Sequence, residues 1–124
     1  MRLLTEDYEH IFRIHTEVKW WQGMRLNRDS QTREEARRVL PSYLLAAYVK
    51  NLLEYRERIV SSLVIYESRR STAPRTSKMI KSCLDTIESI VMSPDFDDLE
   101  CRAEIIRLYH EAGYQTAGQT RLEL

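Results

Sequence analysis

Apolar residues recur along this chain at steps of three and four, the period of a helix facing a core, and hardly anywhere alternate as a half-buried strand would. Five helical segments follow from that pattern. The first is predicted from about Glu6 to about Leu26, with Thr5 as N-cap and Glu6 and Asp7 in the first turn. At 100° per residue, Tyr8, Ile11, Phe12, Ile14, His15, Val18 and Trp21 fall on one face. The second opens with Thr32 and Glu35 in capping-box register, carries Ala36, Val39 and Leu40, and meets Pro41, which either starts a new helix or kinks a continuous one. The third, from Ser42 to about Ser68, is the longest and the expected spine. Its apolar arc holds Leu44, Leu45, Tyr48, Val49, Leu52, Leu53, Tyr55, Ile59, Val60, Leu63, Val64 and Tyr66.

Arg69 to Ser77 reads as a loop rich in Arg, Ser and Thr. A fourth helix follows, capped by Thr76 or Ser77, with Ile80, Cys83, Leu84, Ile87, Ile90 and Val91 as its stripe. Ser93-Pro94 is expected to end it and open a fifth, from about Asp95 to Ala112, with Gly113 as the C-terminal stop. Short connections between such segments predict an all-α fold: an up-and-down bundle of four to five helices with one long central helix over 42–68. A single domain is expected over 1–113, followed by a mobile C-terminal tail over 114–124, where periodicity fades.

Composition supports this outline. The 124 residues suffice for one core, and the balance of 43% hydrophobic and 31% charged residues is that of a globular chain. Three Gly and three Pro are too few for a turn-rich β fold. The 19 basic residues are cancelled by 19 acidic ones, so no whole-molecule field attracts nucleic acid, although local patches can. Cys83 and Cys101 match no zinc or redox spacing, which points to reduced thiols and a cytoplasmic setting. The longest apolar run, Tyr43 to Val49, has seven residues, and a membrane span needs about 20.

The informative residues are those that break their helix's pattern. Trp20 projects from the polar side of the first helix with Met24 one turn on, a composition typical of interface anchors unless the second segment folds back over it. The fifth helix carries two apolar stripes. One is Leu99, Ala103 and Ile106 with His110; the other is Cys101, Ile105, Leu108 and Ala112. A helix apolar on most sides is either central or covered by a second chain. Trp20, Met24, Cys101, Ile105 and Leu108 are therefore the candidate partner-binding residues. Arg56 falls within the apolar arc of the third helix, and with His15 and His110 it could form an inward polar cluster, structural or functional. Lys19, Arg25, Arg28, Arg69, Arg70, Arg75, Lys78 and Lys81 are the candidate contacts to phosphate or nucleic acid. The acidic run Asp95, Asp97, Asp98, Glu100 and Glu104 has the opposite sign, so pairing between copies could join the two.

No phosphate-cradling glycine loop, nucleophile elbow, zinc motif or calcium loop is present in the sequence. Asp7 with His10 is the nearest approach to a di-iron Glu-x-x-His pair and has no second copy. No cofactor, metal or small-molecule substrate is expected. Small bundles with an inward Arg and His resemble the HEPN ribonuclease superfamily, a resemblance that implies an Arg followed by His after four to six residues. This chain departs from it: seven residues separate Arg102 from His110, and two separate Arg107 from His110. The likeness is architectural only, and a small ribonuclease stands as the remote alternative. The leading expectation is a non-enzymatic regulatory interaction protein that self-associates, as a dimer, and binds a protein partner. The alternative is an accessory helical subunit that binds RNA or DNA through Arg and Trp patches.

Overall fold

A computed structural model describes residues 5–27, 29–66 and 73–114. Among them are five helices and no strand: α1 (Thr5–Leu26), α2 (Ser30–Val39), α3 (Ser42–Tyr66), α4 (Ala73–Val91) and α5 (Leu99–Ala112). No described helix is long and apolar enough to cross a membrane.

Cross-helix contacts set the directions. Glu17 meets Tyr48 and Asp7 meets Arg58, so α1 and α3 run antiparallel. Lys19 reaches Thr86 and Arg25 reaches Asp95, so α4 runs parallel to α1. Ser42 lies against Cys101 and Arg56 against Tyr114, so α5 runs parallel to α3. Direction thus alternates through α1, α3, α4 and α5, as expected for an up-and-down bundle. The central role predicted for the long helix is shared: α3 and α4 pack against each other across the middle, with α1 and α5 flanking them.

The core is one cluster fed by every helix, including Ile11, Ile14, Val18 and Trp21 of α1, Leu45, Val49, Leu52 and Ile59 of α3, and the whole predicted stripe of α4. Short α2 adds Ala36, and its carbonyl accepts the Trp21 indole N–H. Burying an indole requires such an acceptor, so α2 is held against α1 by both packing and polarity.

Several boundaries differ from expectation. The cap of α2 is Asp29, three residues before Thr32: its carboxylate accepts from the Gln31 N–H at 3.1 Å and from the Thr32 hydroxyl at 3.0 Å. Pro41 breaks the chain rather than bending it. Leu40 sits at φ −127° and ψ 87°, outside the helical region that a following proline disfavours, and α3 starts afresh at Ser42. The fourth helix begins at Ala73, so residues 73–77 are helical and not loop; Pro74 is tolerated because first-turn N–H groups have no partner to lose. The fifth begins at Leu99, with Asp98 as cap accepting from the Cys101 N–H at 3.0 Å, and residues 93–98 form a turn.

At its other end α5 stops at Gly113 as expected, with φ 64° in the left-handed region. The Gly113 N–H donates to the His110 carbonyl at 3.1 Å and the Tyr114 N–H to the Tyr109 carbonyl at 3.0 Å, a Schellman closure. Tyr114 then folds back into the core beside Tyr109, ring centroids 5.5 Å apart. Tyr114, expected at the start of the tail, is thus packed against the bundle, and residues 115–124 lie outside the described residues.

Candidate functional site

The candidates divide by what the bundle does with them. The α5 stripe of Cys101 and Ile105 is buried within a single chain, continued by Tyr109, which sequence reasoning passed over. Tyr109 is wholly enclosed and its hydroxyl donates to the Leu84 carbonyl at 2.6 Å. Leu108 is half-buried against the same core. The expectation of an uncovered stripe is corrected here: parallel packing of α5 along α3, with α4 on its other side, fills both flanks of that face. Of the second stripe, Ile106 packs partly on the core, and Leu99 and Ala103 face solvent.

On α1 the placement is the reverse. Trp21 is taken inward and Trp20 remains 53% exposed, because α2 folds back over the former and not the latter. Met24 is half-buried against the core and is not a free anchor. Phe12, predicted for the core face, is 61% exposed. It sits at the margin of the apolar arc, and α4 approaches α1 from a direction that leaves this margin outside. Phe12, Thr16 and Trp20 step along the outward face at i, i+4 and i+8, with Gly23 beyond them, where an added Cβ would meet no atom within 4 Å.

The basic candidates part company. Arg25 is engaged at the end of the bundle: its side chain is 10% exposed, lies 5.2 Å over the Trp21 ring and clamps Asp95 at 3.0 and 3.1 Å. It pins the end of α1 to the α4–α5 turn, and the phosphate role expected of it is corrected. Arg28, Arg69 and Arg70 lie outside the described residues. Lys19, Arg75, Lys78 and Lys81, by contrast, come together. A groove between α1 and α4 is lined at one end by His15, Arg75, Lys78, Met79 and Ser82, over about 400 Å3. It continues past the shared Lys78 and Ser82 to Lys19, Thr86 and Ser89. Lys19 is positioned there by a 2.9 Å bond from its ammonium to the Thr86 hydroxyl. Asp85 is the one carboxylate of that lining, and it is engaged by Lys81 at 2.7 Å and by the Tyr114 hydroxyl at 3.0 Å.

The inward polar cluster does not assemble. His15 opens into the α1/α4 groove, where burial first and Lys19 second lower its pKa below the ordinary imidazole value. Arg56 lies 5.0 Å over the Tyr114 ring, near Ser77, Ile80 and Lys81 on the opposite flank of α4. His110 is exposed on α5. A 100° projection ranks positions on one helix and carries no information on which neighbour each side chain meets, and that is why the three appeared convergent.

The cysteines sit in apolar surroundings. Burial pushes the Cys83 thiol up to about 12 and the Cys101 thiol up to about 11, so neither carries thiolate character at neutral pH. Burial and a hydrogen bond to Glu17 likewise raise Tyr48 to about 12. Among the described residues, no three His, Cys, Asp or Glu side chains gather closely enough to hold a metal ion. Arg102 and Arg107, measured above against an Arg–His motif, are otherwise engaged: Arg107 pairs with Glu111 at 2.8 Å, and Arg102 donates to the carbonyls of Val91, Ser93 and Phe96.

No family model, curated protein or solved structure matches the chain. Two surfaces stand out on the bundle: the outward face of α1 and the α1/α4 groove.

Proposed function

We propose that the protein is a non-enzymatic, regulatory interaction module that pairs with a second copy of itself over the outward face of α1 and offers the paired bundle to a protein partner. The observation that carries this reading is the exposure of Phe12 and Trp20 on one side of one helix. At ~150–250 Å2 per aromatic residue, the two leave about 250 Å2 in water along a single helix face.

A second copy suits this face because the face is its own complement. Phe12 and Trp20 lie four residues on either side of Thr16, 40° to its left and right at 100° per residue. A two-fold axis through Thr16 sets two α1 helices antiparallel and places each Phe12 against the other copy's Trp20. The small side chain at Thr16 and the bare backbone at Gly23 permit close approach.

Light scattering and sedimentation across a concentration series test the pairing. The expected result is a reversible dimer whose melting temperature rises with concentration, and which Trp20→Glu converts to a monomer with unchanged far-UV circular dichroism and a melting temperature independent of concentration. A chain that stays monomeric throughout, or a dimer that Trp20→Glu leaves intact, overturns the reading.

A further inference from the structure

We infer that the cavity where α3, α4 and the end of α5 meet is a binding site for a small organic carboxylate, with Arg56 as its anchor. Arg56 interrupts the apolar arc of α3 and is half-buried. Its guanidinium lies 5.0 Å over the Tyr114 ring. Such a contact holds the charge against a π face and gives its N–H donors no oxygen acceptor. The other half-buried arginines among the described residues, Arg25, Arg58 and Arg102, each commit their donors to carboxylates or carbonyls. Arg56 is the exception: among the described residues no carboxylate, carbonyl or hydroxyl accepts from it. Asp85, the carboxylate on this flank of α4, is engaged by Lys81 at 2.7 Å and by the Tyr114 hydroxyl at 3.0 Å. A partly desolvated guanidinium without an acceptor of its own is matched by an anion from outside the chain.

The space for that anion is there. Arg56, Ser77, Ile80, Lys81, Gly113 and Tyr114 line a cavity of about 270 Å3. Ile80 and Tyr114 are buried and give it an apolar wall. Gly113 takes the left-handed conformation that closes α5, and an added Cβ there would meet no atom within 4 Å, so this side of the cavity is open. An apolar wall beside a few convergent polar groups is the composition of a small-ligand site.

Charge and shape select the occupant. Lys81 is neutralised by Asp85, so the lining carries one net positive charge, that of Arg56. A monoanion balances it, whereas a phosphate monoester brings a second charge with no cation to meet it. The planar fork of a guanidinium pairs with both oxygens of a carboxylate in one plane. The Ser77 hydroxyl adds a donor on the α4 side. The volume falls just below the ~300–1,000 Å3 of sites for drug-sized molecules, so the occupant is small, a single ring or short chain beside its carboxylate. This cavity lies on the flank of α4 away from His15 and Lys19, and it does not depend on the pairing face of α1.

Benzoate, titrated into the full chain and followed by proton–nitrogen NMR, tests the assignment. The expected result is saturable binding in the millimolar range, with shifts centred on the Arg56 Nε–H and on the amides of Ser77, Ile80 and Gly113. The melting temperature should rise with benzoate concentration. Benzamide, which has the same shape and no charge, should bind at least tenfold more weakly. Arg56→Gln should weaken benzoate binding at least tenfold, and Arg56→Lys, which keeps the charge and loses the fork, at least threefold, both with unchanged far-UV circular dichroism. Arg107→Ala, whose side chain pairs outside the cavity, should leave it unaltered. Trp20→Glu, which breaks the pairing of the chain, should also leave it unaltered, so the two readings fail separately. No saturable binding, equal binding of benzamide, or binding undiminished in Arg56→Gln or Arg56→Lys overturns the inference. So do shifts centred away from the cavity, and tighter binding of phenyl phosphate or of a pentapeptide through its free C-terminal carboxylate.

Discussion

Arg102→Ala should destabilise the bundle more than removal of any exposed cation, because of where its guanidinium is spent. The helix α4 ends at Val91, and the next helix starts eight residues later at Leu99, in the reverse direction. The last carbonyls of a helix have no partners of their own. Arg102 reaches back from α5 and donates through Nε to the Val91 carbonyl, and through Nη2 to those of Ser93 and Phe96 at 3.0 and 3.1 Å. It is half-buried, so water replaces these donors incompletely. A charge-assisted hydrogen bond contributes ~1.5–3 kcal/mol, and three bonds sharing one guanidinium add less than threefold, which places the expected loss at about 2–4 kcal/mol. Small domains are stable by only ~5–15 kcal/mol, so the fraction is large. Urea unfolding at pH 7, followed by circular dichroism, measures it. With a slope of ~1–3 kcal/mol/M the midpoint should fall by on the order of 2 M, the slope itself unchanged. Arg102→Lys should recover only part of the loss, because an ammonium cannot fork to three carbonyls. Arg107→Ala removes a solvent-exposed pair with Glu111 and should cost less than about 0.5 kcal/mol. Equal losses for Arg102→Ala and Arg107→Ala, or full stability in Arg102→Lys, would refute the reasoning.

Two further outcomes follow from the buried titratable groups. Cys83 is fully enclosed and Cys101 nearly so, with thiols raised to about 12 and about 11, so neither should react with a thiol reagent at pH 8 until the chain is unfolded in denaturant. Prompt native-state labelling of either, read by mass spectrometry, would contradict the packing of α4 or α5. His15 has a folded-state pKa below its unfolded value, for reasons of burial and of Lys19. The unfolded chain therefore takes up the proton first, and stability should fall as pH drops through about 6.5 toward the lower folded-state value. The stability difference between the wild type and His15→Gln should shrink or reverse over that window, and a difference that stays flat or grows in acid would count against the assignment.

Legibility in the sequence followed the range of the interaction. The stripe Ile80, Cys83, Leu84, Ile87, Ile90 and Val91 was plain, since one helix shows its buried face through its own period. Gly113 was plain too, because a left-handed stop needs only local backbone chemistry. Trp20 falls on the polar side of its helix's period and faces outward in the fold. Caps were displaced by a few residues, as at Asp29 and Asp98, where several Ser, Thr and Asp side chains compete and a turn's exact path chooses among them.

What the chain determined by itself was therefore the all-α class, the number of helices and most of each buried face, all set by period and local capping. Which helix neighbours which was decided only in three dimensions. That arrangement turned Phe12 outward, closed over Cys101 and Ile105, and separated His15 from Arg56. It also drew Lys19 to the same groove as Arg75 and Lys78, residues nearly 60 positions away. The reason is physical: an amphipathic pattern states that a face will be covered and how wide it is, while the covering partner is chosen by long-range packing that no single segment encodes.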